Sequence, residues 1–210
     1  MYLAVEGVIG VGKTTLVRLL QPAFEAEICL EVFEENPFLS SFYADRERYA
    51  FQTQIFFLLS RYHQQRRDIL DMVSAEKNLM VDYTFDKDAI FARLNLAGDE
   101  LDMYGRVHEA LAEKIAKPEL VVYLRADTSN LMKRIAQRDR PYERNMEWAY
   151  IEQLNHIYDA FYSDHPKNSS VLIIDTNDLD FVRNPADLQW VENRIRQTLK
   201  LSPFQPELPL

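Results

Sequence analysis

A glycine-rich segment near the start of the chain restricts the possible folds more than any other feature. Residues 7–14 read GVIGVGKT, which matches the pattern G-x-x-x-x-G-K-[ST]. The segment follows an apolar run at residues 2–5 and precedes a stretch with helical spacing at residues 15–24. In such a strand-loop-helix unit, backbone N–H groups surround phosphate oxygens and the helix N-terminus adds positive potential. We therefore predict a nucleoside triphosphate site at the edge of a parallel sheet.

The side chains of this segment have separate expected roles. The ammonium group of Lys13 should reach the β- and γ-phosphates, and the hydroxyl of Thr14 should ligate magnesium. We predict ATP as the phosphoryl donor, together with Mg²⁺. The residues predicted to bind the donor here are Gly7, Gly10, Gly12, Lys13, Thr14 and Thr15.

The apolar pattern of the rest of the chain predicts the fold class. Short apolar runs that read as strands lie at residues 2–5, 28–32, 79–81, 120–124 and 171–174. They alternate with stretches of helical spacing, of which residues 46–73 form the longest. Strands that read as continuous apolar runs are buried on both faces. We predict an α/β P-loop fold, with a five-stranded parallel sheet sandwiched by helices.

Composition and charge exclude several classes of function. The formal net charge is -9, which argues against binding to a nucleic acid polymer. No apolar run approaches the roughly 20 residues that cross a bilayer, so we expect no membrane partner and a cytoplasmic location. The single cysteine, Cys29, excludes an internal disulfide. The length of 210 residues predicts one domain over residues 1–210.

Four separated segments carry a family resemblance. They read LEVFEENPF at residues 30–38, YAFQTQIFFLLSR at 49–61, VDYT at 81–84 and RIAQRDRPYE at 134–143. Together with the glycine-rich loop, they resemble the deoxynucleoside kinase family from residue 2 to about residue 181. The resemblance implies a kinase that phosphorylates the 5′-hydroxyl of a deoxynucleoside.

The first segment supplies the candidate catalytic carboxylate. The resemblance implies that Glu31 is the base, because a carboxylate after a strand can face the phosphate loop and accept the hydroxyl proton. Val32 stands where the family usually has proline. Glu34 and Glu35 are rival candidates, or else acids favoured by a helix N-terminus.

The second segment resembles the family's substrate-binding helix. Gln54 aligns with the amide that reads the base, since an amide offers a donor and an acceptor together. Phe51 is expected to form part of the apolar enclosure of the base. Arg61 lies two turns later on the same side, and Tyr43 resembles the tyrosine that the family uses at the sugar 3′-hydroxyl.

The third segment contains a departure from the family. Asp82 fits the acidic residue that holds magnesium. Tyr83 stands where the family commonly has an arginine at the reacting end of the substrate, as in the Asp-Tyr form of bacterial purine deoxynucleoside kinases. Either Lys87 or Asp88 is expected to read the base, because the spacing is one residue shorter here and leaves both open.

The fourth segment resembles the family's arginine-rich lid, expected at about residues 138–146. The arginines should neutralise charge on the transferring phosphoryl group, and the alternative is a solvated loop. Glu143 aligns with a second ligand of the 3′-hydroxyl. The lid arginines are Arg134, Arg138 and Arg140. After the fifth predicted strand, Asp178 and Phe181 should border the adenine of the donor.

These observations predict ATP-dependent phosphorylation of a purine deoxynucleoside, with deoxyguanosine first and deoxyadenosine second. The choice of base rests on the resemblance alone. A nucleoside monophosphate kinase and a P-loop nucleotide switch are the alternatives. The family is typically dimeric, so we expect a homodimer.

Overall fold

Five parallel strands form one sheet in the order β2-β3-β1-β4-β5. The structure is a computed structural model that describes residues 1–32, 35–163 and 171–202. The strands are β1 (Tyr2–Gly7), β2 (Glu27–Cys29), β3 (Leu79–Val81), β4 (Leu120–Arg125) and β5 (Val171–Asp175). This order places β1 at the centre, between β3 and β4. The carboxyl ends of all five strands meet at one edge, where ligands bind in open α/β sheets. The predicted five-stranded parallel sheet is confirmed.

Helices connect the strands. The α-helices are α1 (Lys13–Phe24), α2 (Leu39–Ala44), α3 (Arg46–Gln64), α4 (Leu70–Ser74), α5 (Asp86–Asn95), α6 (Gly98–Ala112), α7 (Thr128–Arg138), α8 (Trp148–Ser163) and α9 (Pro185–Thr198). A π-helical segment at Gln65–Ile69 joins α3 to α4, and a 3₁₀ turn at Pro141–Glu143 follows α7. Within the described part of the chain, no helix combines the length and the apolarity that a membrane span requires.

The side chains of the central strand alternate between two apolar layers. Leu3 and Val5 belong to the larger buried cluster, whereas Tyr2 and Ala4 belong to the smaller one. Successive side chains of a strand point to opposite faces of the sheet, so a strand with apolar side chains on both faces must be covered on both. The pattern therefore accounts for the helices on the two sides of the sheet.

Strand β2 is shorter than the sequence predicts, and the reason lies in the site. The apolar run extends to residue 32, but the strand ends at Cys29. Side chains take over the hydrogen bonds of the next residues: the Leu30 carbonyl accepts from the Gln64 amide at 2.9 Å, and the Glu31 N–H donates to Asp82 Oδ1 at 2.7 Å. The chain thus leaves the sheet early and brings Glu31 beside Asp82.

The long helix α3 carries several of the predicted acceptor residues. It begins after Asp45, whose side chain accepts a hydrogen bond from the Arg48 N–H at 3.2 Å. Such a cap satisfies one of the N–H groups that the first turn leaves free. The helix buries Gln54 and Arg61 on the face directed at the sheet edge.

Candidate active site

The glycine-rich loop between β1 and α1 has a backbone that side chains would disturb. Gly7 has a φ of 146°, and a Cβ there would lie 2.5 Å from the carbonyl oxygen of Leu124. Gly10 has a φ of 87°, and its Cβ would meet Ile135 at 2.7 Å. Both glycines are thus required by conformation and by close packing. The loop ends at Gly12, directly before α1.

Lys13 folds back onto its own loop. Its Nζ donates to the carbonyl oxygens of Gly7 at 2.7 Å and Val8 at 3.2 Å. Burial and the neighbouring Lys87 ammonium lower the pKa of Lys13 to about 8. The ammonium group is therefore held at the loop by weak neutral acceptors, which a phosphate group can replace.

Two predicted magnesium ligands lie against each other. Thr14 Oγ1 donates to Asp82 Oδ2 at 2.5 Å, and Asp82 Oδ1 accepts from the Glu31 N–H. A hydroxyl and one carboxylate oxygen fit Mg²⁺, which usually keeps several waters and takes one or two carboxylates. Among the described residues, no cluster of three or more acidic, histidine or cysteine side chains forms a further metal site.

A cavity of about 720 Å³ opens beside the glycine-rich loop. Thr15, Asp178 and Phe181 line it, as the sequence predicts for donor-binding residues. It is rich in positive charge: the basic residues in its wall are Lys13, Lys133, Arg134, Arg138, Arg140 and Arg183. The acidic ones are Asp178 and Asp180. An excess of six basic over two acidic residues suits a polyanionic ligand.

Arg134 differs from the other lid arginines because it is anchored. Its guanidinium donates to the carbonyl oxygens of Val11 at 3.3 Å and Thr176 at 2.8 Å, and to Thr176 Oγ1 at 3.1 Å. Burial lowers the pKa of Arg134. Arg134 thus ties the glycine-rich loop to the loop after β5 while it lines the donor cavity.

A second, smaller cavity of about 110 Å³ lies on the other side of Lys13. The predicted acceptor residues that line it are Glu31, Tyr43, Gln54, Arg61, Lys87 and Glu143. Phe57 and Phe91 line it as well. The two cavities share Lys13, Thr14, Arg138 and Arg140 as a common wall.

Glu31 is held by two cations. Its Oε2 accepts from Lys87 Nζ at 2.5 Å, and its Oε1 accepts from Arg61 Nε at 3.0 Å and from Arg61 NH2. Burial raises the pKa of a carboxyl group, but the positive charges of Lys87 and Arg61 outweigh this effect. The pKa of Glu31 therefore lies well below its usual range. The carboxylate is preorganised and charged.

Arg61 also pairs with Asp88 through NH1, so that it bridges two carboxylates. Asp88 is fully buried and Arg61 is 5% exposed. The guanidinium lies 4.7 Å from the ring centroid of Phe57. Gln54 lines the same cavity. Buried charges need such partners, since an isolated one would be costly. Lys87 and Asp88 thus have different partners.

Glu143 connects the lid turn to the acceptor cavity. It is buried, and its Oε2 accepts from Arg138 NH2 at 2.5 Å, while Oε1 lies 3.6 Å from Arg140 NH1. Tyr142 stacks on Tyr43, with ring centroids 6.0 Å apart. The predicted lid arginines and the two predicted 3′-hydroxyl ligands therefore form one connected group.

Three predicted acceptor residues do not line this cavity. Asp88 is fully buried and pairs with Arg61 instead. Tyr83 is fully buried in the smaller apolar cluster, where its hydroxyl donates to Gln64 Oε1 at 2.6 Å. Its side chain follows the strand alternation away from the site. Phe51 packs against the main core instead, and Phe57 and Phe91 take the place expected for it.

Sequence reasoning missed Glu6, a fully buried carboxylate on β1. It accepts hydrogen bonds from the N–H groups of Gly7 at 2.8 Å and Thr84 at 2.7 Å, so it joins the starts of two site loops. Burial raises the pKa of Glu6, although the positive charges of Lys87 and Lys13 act to lower it. An acid inside an apolar strand was the available signal. Of the rival bases, Glu35 is exposed and Glu34 lies outside the described residues.

The fold and the site together define a P-loop phosphotransferase: a glycine-rich phosphate loop on a parallel sheet, next to a second cavity for an acceptor. Comparison with known proteins identifies the family. The deoxynucleoside kinase family model matches residues 3–200, so this chain belongs to the deoxynucleoside kinase family. It is an enzyme whose acceptor is a deoxynucleoside.

Individual relatives agree on the family and differ in substrate. A deoxyguanosine kinase of Bacillus subtilis (strain 168) is 31% identical over 201 residues, covering 94% of this chain and 97% of that protein. A deoxyadenosine/deoxycytidine kinase of the same organism is 27% identical over 205 residues, covering 94% and 92%. The structure of a deoxyadenosine kinase from M. mycoides, with dCMP and dCDP bound, superposes with a TM-score of 0.82 at 26% identity and covers 94% of this chain and 100% of that chain.

Proposed function

We propose that this enzyme transfers the γ-phosphoryl group of ATP, with magnesium, to the 5′-hydroxyl of a purine deoxynucleoside, and that it prefers deoxyguanosine to deoxyadenosine. One observation carries the proposal: the donor and acceptor cavities have Lys13, Thr14, Arg138 and Arg140 in common. A phosphoryl group that leaves one ligand therefore reaches the other without crossing solvent.

The charge of the acceptor cavity favours a nucleoside over a nucleotide. Apart from the shared residues, its wall has two basic side chains, Arg61 and Lys87. It has three acidic ones, Glu31, Asp82 and Glu143. A monophosphate acceptor would add about two negative charges to this excess of acid. Of the functions that the sequence left open, a deoxynucleoside kinase fits better than a monophosphate kinase.

The phosphate loop and its neighbours are proposed to hold the donor. Lys13 exchanges its loop carbonyls for the β- and γ-phosphates, and Arg138 and Arg140 face the phosphoryl group from the lid. Thr14 and Asp82 would hold magnesium, which neutralises phosphate charge when it is bound. Phe181 and Asp178 border the nucleoside of the donor.

The acceptor side positions the hydroxyl. The 5′-oxygen forms a bond to the γ-phosphorus as the bond to the bridging oxygen breaks, and the hydroxyl proton passes to Glu31. Tyr43 and Glu143 are proposed to hold the 3′-hydroxyl. The transition state of phosphoryl transfer is loose, so positioning contributes more than the strength of the base.

The preference for guanine follows from the donors at the far end of the cavity. Arg61 is bound to Glu31 and Asp88, and its remaining N–H donors match the O6 and N7 acceptors of guanine. Gln54 offers an amide, which matches the donor and acceptor pair of adenine equally well. We propose deoxyguanosine as the first choice because of this additional cationic donor.

The test is phosphate transfer from ATP and Mg²⁺ to deoxyguanosine, deoxyadenosine, deoxycytidine, thymidine and dGMP in parallel. We expect labelling of deoxyguanosine first and deoxyadenosine second, with none of dGMP. Glu31→Gln should lower kcat by about 100-fold, the usual scale for a general base. Glu35→Gln, an exposed neighbour, is the matched control and should stay within about threefold. Activity confined to pyrimidines or to dGMP would refute the proposal.

The one-domain organisation, the homodimer and the cytoplasmic location stay predictions. They enter neither the mechanism nor its test.

A further inference from the structure

Lys87 has a position that the choice of base does not explain. It lies in the first turn of α5 and is 7% exposed. Its Nζ donates to Glu31 Oε2 at 2.5 Å and lies 5.7 Å from the ring centroid of Phe91. The next residue, Asp88, pairs with Arg61 instead. Two adjacent charged residues thus have different partners: Lys87 pairs with Glu31, and Asp88 pairs with Arg61.

The ammonium group of Lys87 is close to the phosphate loop as well. Lys87 lines the acceptor cavity together with Lys13 and Thr14, the residues that this cavity shares with the donor cavity. It also lowers the pKa of Lys13 by charge repulsion, after the larger effect of burial. Two lysines that line one cavity and raise its positive potential together favour an anionic group near both.

Arg61 holds one oxygen of Glu31 without Lys87. Its Nε and NH2 groups both donate to Oε1 of the carboxylate. Lys87 binds the other oxygen with one of the three N–H donors of an ammonium group. Among the described residues, Glu31 is the only hydrogen-bond acceptor found for Lys87 Nζ, so the ammonium group has two further N–H donors with which it could bind a ligand.

We propose that Lys87 is a catalytic cation of phosphoryl transfer, whose ammonium group binds the oxygens of the transferring phosphoryl group as Glu31 takes the hydroxyl proton. The proposal rests on the function proposed above and deepens it. When the 5′-oxygen attacks phosphorus, its proton moves to Glu31, which loses its negative charge. The ion pair with Lys87 weakens at that moment, and the ammonium charge becomes available to the phosphoryl oxygens.

This role predicts a different result from a base-reading role. A cation at the phosphoryl group acts on every substrate alike, because all deoxynucleosides present the same 5′-hydroxyl. A base reader would change the ratio of deoxyguanosine to deoxyadenosine activity. On this proposal, Asp88 rather than Lys87 takes part in reading the base, and it acts through Arg61.

The test compares Lys87→Met and Lys87→Arg with the wild type and with Lys114→Met, an exposed lysine replaced in the same way. We expect Lys87→Met to lower kcat by about 100-fold for both purine deoxynucleosides, the scale for one transition-state cation or donor. The deoxyguanosine-to-deoxyadenosine ratio should stay within about threefold. Lys87→Arg keeps the positive charge, so its kcat should be about tenfold higher than that of Lys87→Met.

A pH profile separates this role from a structural one. Without Lys87, the pKa of Glu31 rises, so the acid limb of the kcat profile should move to higher pH in Lys87→Met and not in Lys87→Arg. Thermal unfolding of each variant checks the fold. If Lys87→Met fails to fold, the rate of Lys87→Arg decides: the proposal expects kcat about tenfold below the wild type for both bases, whereas a structural role predicts an unchanged kcat.

The outcomes distinguish the two proposals. An inactive wild type would refute the proposed function itself. An active wild type with a Lys87→Met rate within about threefold, or with a loss confined to one base, would overturn the role of Lys87 and leave the kinase function intact.

Discussion

The donor and acceptor cavities differ in how the charges of their walls are compensated. The donor wall has six basic and two acidic residues, and this excess of positive charge suits a polyanionic ligand. In the acceptor cavity, Glu31, Arg61, Asp88 and Lys87 are already paired with one another. A neutral nucleoside brings no charge, so buried charges there must balance among themselves. The charge arrangement of each cavity thus indicates the charge of its ligand.

The strongest test of the donor side is Lys13→Ala. The substitution removes the cation at the boundary of the two cavities, and we expect kcat to fall by about 1000-fold, at the upper end for one transition-state contact. Steady-state rates with saturating ATP and deoxyguanosine measure the effect. Lys133→Ala, an exposed lysine in the same cavity wall, should change kcat by less than about threefold. Similar losses in both variants would mean that total charge matters more than position.

Asp88→Asn tests the balance of the acceptor side. The change leaves Arg61 with one carboxylate in place of two, and a lost buried charge partner disturbs the guanidinium that is proposed to read guanine. We expect kcat/KM for deoxyguanosine to fall about 30-fold and that for deoxyadenosine about threefold. Asp86→Asn, an exposed acid two residues earlier in the chain, is the control. Equal losses for both bases would contradict the role in base choice.

The pH dependence of donor capture provides a test without substitution. In the free enzyme, burial and Lys87 lower the pKa of Lys13 to about 8. The ammonium group loses its proton above that pH, so kcat/KM for ATP should fall about fivefold between pH 8 and pH 9. Bound phosphates favour the charged form, so kcat at saturating ATP should not fall over the same interval. A parallel fall of both parameters would locate the titration elsewhere.

The smallest expected effect concerns Glu143, which contacts the arginines common to the donor and acceptor cavities. Glu143→Gln removes the charge that holds Arg138 and Arg140 at the acceptor cavity. We expect KM for deoxyguanosine to rise about fivefold as a hydrogen-bonding carboxylate is lost. KM for ATP should fall by about half, because the arginines are freed for the donor. Glu147→Gln breaks an exposed pair with Arg46 and should change neither KM.

The sequence predicted the donor side better than the acceptor side. The donor cavity is built around one continuous segment: Gly10, Gly12, Lys13, Thr14 and Thr15 line it, whereas Gly7 ends β1. The acceptor residues come from the segment after β2, from α2, α3 and α5, and from the 3₁₀ turn at Pro141–Glu143. Phe51 and Tyr83 were expected in the acceptor cavity and are not there, because the alignment of a segment does not fix which way a side chain points. Phe57 and Phe91 form the wall instead.

Some features were visible in the sequence only as anomalies. Glu6 interrupts an apolar strand, and only the tertiary structure explains it, by two N–H groups from separate loops. The early end of β2 has a similar cause, since Gln64 and Asp82 replace the strand partner of residues 30 and 31. Local patterns cannot contain such contacts, which join residues far apart in the chain.

The sequence by itself determined the parallel sheet, the phosphate loop and the class of ligand that the loop binds, because each depends on periodicity or on a contiguous motif. The tertiary structure decided which cation belongs to which anion. Lys87 and Asp88 are neighbours in the chain, yet one binds Glu31 and the other binds Arg61. Charge pairing depends on distances of a few ångströms between elements, and those distances are set only when the helices pack on the sheet.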